Sequence, residues 1–186
     1  MDVQKTAQQI CEIGARLYNK QLVAAAEGNI SVRTGENEIL ITPAGVCKGR
    51  MSPSMLLRCN LQGEALESNA GYQPSSEIRM HLRVYLDCPH ANAVVHAHPP
   101  VATAFSVHNT VLNSEGLPNL ANKLDSVPVC PYARPGTEEV PASIAPYLPT
   151  HRALLLAKHG APTWAENLEC AYSLMESIER IAKGRA

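Results

Sequence analysis

The chain has 186 residues, enough for one domain with a sizeable core and short for two. Sixteen basic residues against seventeen acidic ones leave a net charge of −1, and aromatics make up only 4%. That balance excludes a basic or base-stacking surface, so neither nucleic acid nor an anionic membrane is an expected partner. Six cysteines (Cys11, Cys47, Cys59, Cys88, Cys130, Cys170) show no CxxC spacing. The first residues carry no apolar signal core, and no apolar run approaches the roughly 18 residues of a membrane span. Free thiols in a cytoplasmic protein are expected.

Along the chain, Val3, Ala7, Ile10, Ile13 and Leu17 recur at helical spacing and predict an opening amphipathic helix. Asn29–Arg33 and Glu38–Thr42 read as strands joined by the turn Thr34-Gly35-Glu36-Asn37, and Leu56–Leu61 as a third strand. Pro74-Ser75-Ser76-Glu77 has the chemistry of a helix start, with Ile78, Leu82, Tyr85 and Leu86 as the buried stripe. A strand over Ala93–His98 runs into a helix beginning at Pro99-Pro100, where proline is tolerated. Val127–Tyr132 and Ala153–Lys158 are further strand candidates, and Leu168, Ala171, Met175, Ile178 and Ala182 mark a last helix. Clustered strands with helices between them, and no linker or repeat, predict a single α/β domain over residues 1–186.

Val94-Val95-His96-Ala97-His98 places His96 and His98 on one face at the end of an apolar strand. His159, after the apolar run 153–157, is a third imidazole at a strand end. Three such groups can hold a catalytic metal with one position open to water or substrate. Histidines capping strands for packing are the alternative, and these residues alone leave both readings open. His81, His90 and His108 read as solvated. Ser75 and Ser76 at a helix start offer hydroxyls beside unpaired N–H groups, a ready anion site, although Glu77 in a first turn has a purely electrostatic explanation as well. Gly28-Asn29 and Thr42-Pro43-Ala44-Gly45 read either as corners or as backbone brought close to a ligand. No P-loop, dinucleotide-binding or GxSxG motif is present.

Taken in order, Gly28-Asn29-Ile30-Ser31-Val32-Arg33, Thr42-Pro43-Ala44-Gly45, Ser75-Ser76-Glu77, His96-Ala97-His98, Pro131-Tyr132-Ala133-Arg134-Pro135-Gly136-Thr137 and His159-Gly160 resemble the class II aldolase/adducin family. The resemblance runs from the first helix to the last. It implies an α/β fold around a central, mostly antiparallel sheet of about nine strands, in a homotetramer with active sites at subunit interfaces. It implies that His96, His98 and His159 bind Zn2+ or another divalent ion such as Mn2+ or Co2+, and that Glu77 is the catalytic acid/base. Asn29, Gly45, Ser75 and Ser76 match the positions that hold a substrate phosphate.

The implied activity is retro-aldol cleavage of a small ketose phosphate, through a metal-stabilised enediolate, to an aldehyde and dihydroxyacetone phosphate. Glu77 would then need a pKa raised toward neutrality by burial. Epimerase, dehydratase or decarboxylase chemistry on the same core, or a noncatalytic adducin-like interaction domain, are the alternatives. Three departures from the family pattern bear on the choice. Ala44 and Ala26 stand where hydroxyl residues are usual, with Lys48 a candidate replacement donor. Leu117 aligns with a catalytic tyrosine of the family's aldolases, and Glu115 lies near it. The chain also ends soon after its last helix, where those aldolases carry a further tyrosine.

Overall fold

A computed structural model describes residues 2–67, 69, 71–115, 124 and 126–186. Helix α1 (Val3–Asn19) opens the chain on an Asp2 cap whose side chain accepts the Lys5 N–H. Strands β1 (Asn29–Gly35), β2 (Glu38–Ile41) and β3 (Leu57–Asn60) follow, then helix α2 (Ile78–Asp87), strand β4 (Ala93–Ala97) and helix α3 (Pro100–Val107). Short strands β5 (Leu112–Asn113), β6 (Ser126–Val127) and β7 (Val129–Cys130) lead to helix α4 (Glu139–Ile144). Strands β8 (Leu155–Leu156) and β9 (Ala161–Ala165) precede helix α5 (Leu168–Lys183), capped by the Asn167 side chain on the Cys170 N–H.

The central sheet has the order β3-β2-β1-β4-β9 and is antiparallel throughout. Alternation along each strand divides the core into two layers. Ile30, Val32, Val95 and Ala97 face α1, α3 and α5, whereas Ile41, Val94 and Trp164 face α2 and α4. The polar residues Asn29, Ser31 and His96 alternate with the first set, and therefore point to the α2 side.

The α/β fold with an antiparallel central sheet agrees with expectation, but that sheet has five strands among the described residues rather than about nine. Further short strands pair separately, β5 with β6 and β7 with β8. The predicted strand over Val127–Tyr132 breaks at Pro128, which has no N–H for a ladder. The run Ala153–Lys158 is strand only at Leu155–Leu156, and β9, not anticipated, contains Pro162 on the sheet's edge, where a missing donor costs least. Helix α2 begins one residue after Glu77, which takes the N-cap position. Its buried stripe uses Met80, His81, Leu82, Val84 and Tyr85; Leu86, expected inside, is 59% exposed. The six cysteines are free, and no helix among the described residues is long and apolar enough to cross a membrane.

The turn between β8 and β9 is tight. Leu156 and Gly160 exchange a bridge, the Leu156 N–H donating to the Gly160 carbonyl at 2.7 Å, and Lys158 at φ 59° holds the left-handed conformation a non-glycine residue seldom adopts. A Cβ on Gly160 would lie 2.5 Å from the Ala97 carbonyl oxygen and 2.5 Å from the His98 ring. Neither can yield, because one is backbone of the central sheet and the other is held by packing. Gly160→Ala is expected to destabilise the fold by about 1–3 kcal/mol, read as a lower denaturant midpoint at unchanged slope.

Candidate active site

The site is built where β1, β4 and the β8–β9 turn meet the start of α2. The β1–β4 register pairs Asn29 with His96, and the β4–β9 register pairs His96 with Pro162. His96 is fully buried on the last residues of β4, and His98 follows just past the strand. His159 comes from the turn before β9 rather than from a strand end. Their ring centroids stand 4.8–5.0 Å apart, and their ligand nitrogens lie within 4.8 Å of one another. The Nε2 atoms of His96 and His98 are separated by 3.2 Å. Two nitrogens bound tetrahedrally to zinc at their usual length stand about 3.3 Å apart, so this spacing fits such an ion.

Orientation supports the same use. His96 donates its Nδ1–H to the Ala161 carbonyl at 3.2 Å, which leaves a lone pair on Nε2 facing the other rings. His98 turns its Nδ1 toward the Glu27 carboxylate, 3.6 Å away, so its Nε2 also points inward. Burial pushes His98 down and His159 down to about 4, which keeps these rings uncharged near neutral pH, as a metal ligand must be.

Glu77 closes the cluster. Its Oε2 lies 3.1 Å from His96 Nε2 and its Oε1 3.2 Å from His159 Nε2. Asn29 Nδ2 donates to Oε2 at 2.8 Å, while the buried Oε1 has no hydrogen-bond partner among the described residues. A buried carboxylate oxygen without a donor, at the edge of a group of three imidazoles whose ligand nitrogens lie within 4.8 Å of one another, fits a site for a cation. The expectation of a raised Glu77 pKa is reversed. Burial pushes the carboxyl up, but His96, His159 and the Asn29 amide outweigh it and hold the group well below its usual range.

Beside the cluster lies a cavity of about 140 Å³. Asn29, Gly45, Lys48, Ser75 and Ser76 line it together with Glu77 and His98, so residues far apart in sequence converge as expected. Ala26 and Ala44 line it too and add no side-chain donor. Ser75 Oγ accepts the Glu77 N–H at 3.3 Å, and Gly136, from the 131–137 motif, lies beside Ser76. Lys48 is 1% exposed; its ammonium donates to the Val46 and Ala26 carbonyls at 2.6 and 3.2 Å, and burial lowers it to about 8. With no carboxylate against it among the described residues, it is a buried cation with a third N–H to give. A larger groove of about 450 Å³, lined by Lys20, Glu176 and Lys183, is occupied by side chains already paired, Lys20 with Glu176 at 2.8 Å and Lys183 with Glu179 at 3.3 Å. The convergent chemistry is at the smaller cavity.

His90 and His108 are exposed as expected, but His81 is fully buried and bonded to Asn29 and Ser31. The signal in the sequence is its position four residues after Glu77, on the same face of one helix. Glu27 was also missed; standing immediately before Gly28-Asn29, it was within reach of any motif built on that corner. Glu115 is exposed and does not line the cavity, and Leu117 lies outside the described residues.

The pattern has close relatives. The model of the Class II Aldolase and Adducin N-terminal domain matches residues 8–185. A 3-oxo-tetronate 4-phosphate decarboxylase of Pectobacterium atrosepticum is 30% identical over 184 residues, 97% of this chain and 83% of that protein. An L-fuculose phosphate aldolase of Escherichia coli K12 is 34% identical over 183 residues, 98% and 83% of the two chains. The crystal structure of L-fuculose-1-phosphate aldolase from Thermus thermophilus superposes with a TM-score of 0.85 at 35% identity, covering 100% of this chain and 93% of that one. With its ordered motifs, its antiparallel sheet and three converging histidines, the chain belongs to the class II aldolase/adducin family.

Proposed function

We propose that this protein is a divalent-metal-dependent carbon–carbon lyase that decarboxylates a small phosphorylated 3-oxo acid. The observation that carries the reading is the disposition of carboxylates around the imidazoles. Of the two that line the cavity, Glu27 faces the outer nitrogen of His98 and only Glu77 faces the inner Nε2 atoms. His96, His98 and His159 would hold the ion, zinc being the natural choice for three imidazoles. When bound it supplies Lewis-acid polarisation of a ketone oxygen and its neighbouring hydroxyl.

The rest falls to the chain's own residues. Asn29, Gly45, Ser75, Ser76 and Lys48 bind the phosphate, and its binding energy orients the reacting carbons. Substrate oxygens entering between Glu77 and the imidazoles separate the carboxylate from His96 and His159. Glu77 would then carry a proton from solvent to the carbon left by departing carbon dioxide. Loss of carbon dioxide from 3-oxo-tetronate 4-phosphate leaves dihydroxyacetone phosphate after that single protonation. Retro-aldol cleavage of a ketose phosphate reaches the same three-carbon product but needs a second group, to take the hydroxyl proton of the departing aldehyde. Leu117, where the family's aldolases carry tyrosine, cannot be that group. The 34% identity to L-fuculose phosphate aldolase favours retro-aldol cleavage as the second reading. A cytoplasmic homotetramer belongs to the same proposal, supported by exposed Val107 and Val111 at the end of α3, each about half exposed and suited to an interface.

Purified protein is expected to carry about one divalent ion per chain by elemental analysis. Alanine at His96, His98 or His159 should remove most of it while the fold's circular dichroism persists. Full occupancy in the triple variant would refute the metal assignment.

Incubated with a phosphorylated 3-oxo acid, the metal-loaded protein should release carbon dioxide and dihydroxyacetone phosphate. Faster formation of an aldehyde from ketose phosphates would transfer the assignment to the second reading. Glu77→Gln should abolish exchange of a carbon-bound proton of dihydroxyacetone phosphate with D2O, a step common to both, while retaining metal. Exchange at the wild-type rate would exclude Glu77 as proton carrier.

Ser76→Ala should raise KM for the phosphorylated substrate about five- to tenfold, with much less effect on its unphosphorylated analogue. An equal rise for both would show that the cavity does not hold phosphate.

A further inference from the structure

Behind Glu77 runs a buried chain of hydrogen bonds whose members beyond Asn29 have no part in the proposed chemistry. Asn29 Nδ2 donates to Glu77 Oε2 at 2.8 Å, and Asn29 Oδ1 stands 2.5 Å from His81 Nε2. His81 Nδ1 is 2.7 Å from Ser31 Oγ, which is 2.8 Å from the Tyr85 hydroxyl. Asn29, Ser31, His81 and Tyr85 are all at most 3% exposed.

The arrangement follows from two repeats that nearly coincide. Residues two apart on a strand are about 6.6 Å apart, and residues four apart on a helix about 6 Å. Asn29 and Ser31 on β1 therefore interleave with Glu77, His81 and Tyr85 along the facing side of α2. Arg33, the next residue on that face, continues the ladder by donating to the Tyr85 carbonyl at 2.9 Å and stacking its guanidinium over the Tyr85 ring.

Chemistry sets the direction of every bond. An ionised Glu77 only accepts, so Asn29 must present its amide nitrogen to it and its oxygen to His81. That oxygen requires a donor, so the proton of His81 is on Nε2. Nδ1 then accepts from the Ser31 hydroxyl, whose oxygen is left to accept from Tyr85. Every hydrogen points toward Glu77. A charged His81 would instead donate to Ser31 through Nδ1–H and reverse the order of the bonds beyond it. Burial agrees, lowering His81 to about 3 and keeping the ring neutral.

We infer that His81 is a positioning residue: through its Nε2–H it locks the Asn29 side-chain amide with its nitrogen toward Glu77, and so holds the Glu77 carboxylate in one orientation at the metal cluster. Its catalytic consequence rests on Glu77 being the proton carrier; the tautomer and the amide orientation do not.

Two measurements on the metal-loaded protein separate these. In the wild type, long-range 1H–15N correlation of His81 should show a protonated Nε2 and an unprotonated Nδ1 throughout the neutral range. The opposite tautomer or an imidazolium would overturn the inference whatever the enzyme does, and this arm needs no variant to fold. The second arm compares His81→Gln with His81→Asn at matched thermal midpoint and metal content. Glutamine can place an N–H where Nε2 stands, whereas the shorter asparagine reaches only the Nδ1 position. His81→Gln should stay within about threefold of the wild-type rate of D2O exchange into dihydroxyacetone phosphate, and His81→Asn should fall about tenfold with KM unchanged. Equal rates in the two variants would reduce His81 to packing. If the wild type itself exchanges nothing, the proton-carrier reading fails, while the tautomer result still decides the ladder.

Discussion

The site depends on the register of one short strand. Strand β4 lies between β1 and β9, and its pairing sets His96 against Asn29 on one side and Pro162 on the other. A slip of one residue would turn His96 into the apolar layer beneath α5 and bring a valine to the cluster. The apolar alternation resists that slip. Val95 and Ala97 are buried toward α1, α3 and α5, and Val94 toward α2. The same ladder that buries the core thus aims the imidazoles, and the Ala161 carbonyl beside β4 orients the His96 ring.

Polar groups at the end of a buried sheet are costly unless paired. Here nearly all are paired in one continuous arrangement, from Tyr85 through Ser31, His81 and Asn29 to Glu77. Two of the five buried side-chain atoms without a hydrogen-bond partner among the described residues, Glu77 Oε1 and His159 Nδ1, are at the cluster; Arg33 Nε, Thr103 Oγ1 and Trp164 Nε1 are elsewhere. Glu77 itself is held on one side by the Asn29 amide, while its Oε1 faces the cluster without a hydrogen-bond donor. A carboxylate held from behind and unpaired in front suits the proton-carrying role proposed for Glu77.

Much of this was legible in the sequence, for identifiable reasons. His96 and Asn29 sit on strands whose period of two is visible in the alternation, with His98 one residue past β4, and Ser75-Ser76-Glu77 announces a helix start by composition. Their convergence with Gly45, Lys48 and His159 was available only from the ordered resemblance, since no local pattern links residues over a hundred positions apart. The errors share a cause, which is tertiary context overriding local pattern. Pro162 hid β9, because proline argues against a strand unless the strand is known to be an edge. His81 read as solvated because its partners lie on a different element, β1. Leu86 matched the helical stripe of α2, yet it falls where nothing covers the helix in the single chain. The expectation of about nine strands came from the resemblance; nine strands form among the described residues, but only five join the central sheet and the other four pair in twos.

The division of labour in the site also bears on how chemistry can diverge within such a fold. The imidazoles, Glu77 and the ladder come from β1, β4, α2 and the β8–β9 turn, all core elements whose registers constrain one another. On the proposed mechanism a second proton carrier would come from outside this set, since Glu27, the other carboxylate lining the cavity, faces the outer nitrogen of His98. Breaking a bond whose departing half is a carboxyl group needs only what the core supplies, since carbon dioxide leaves without surrendering a proton. Breaking one whose departing half is an aldehyde needs a further base at the mouth of the cavity, on a loop or a neighbouring chain. Peripheral segments can therefore change the reaction while the core is left intact.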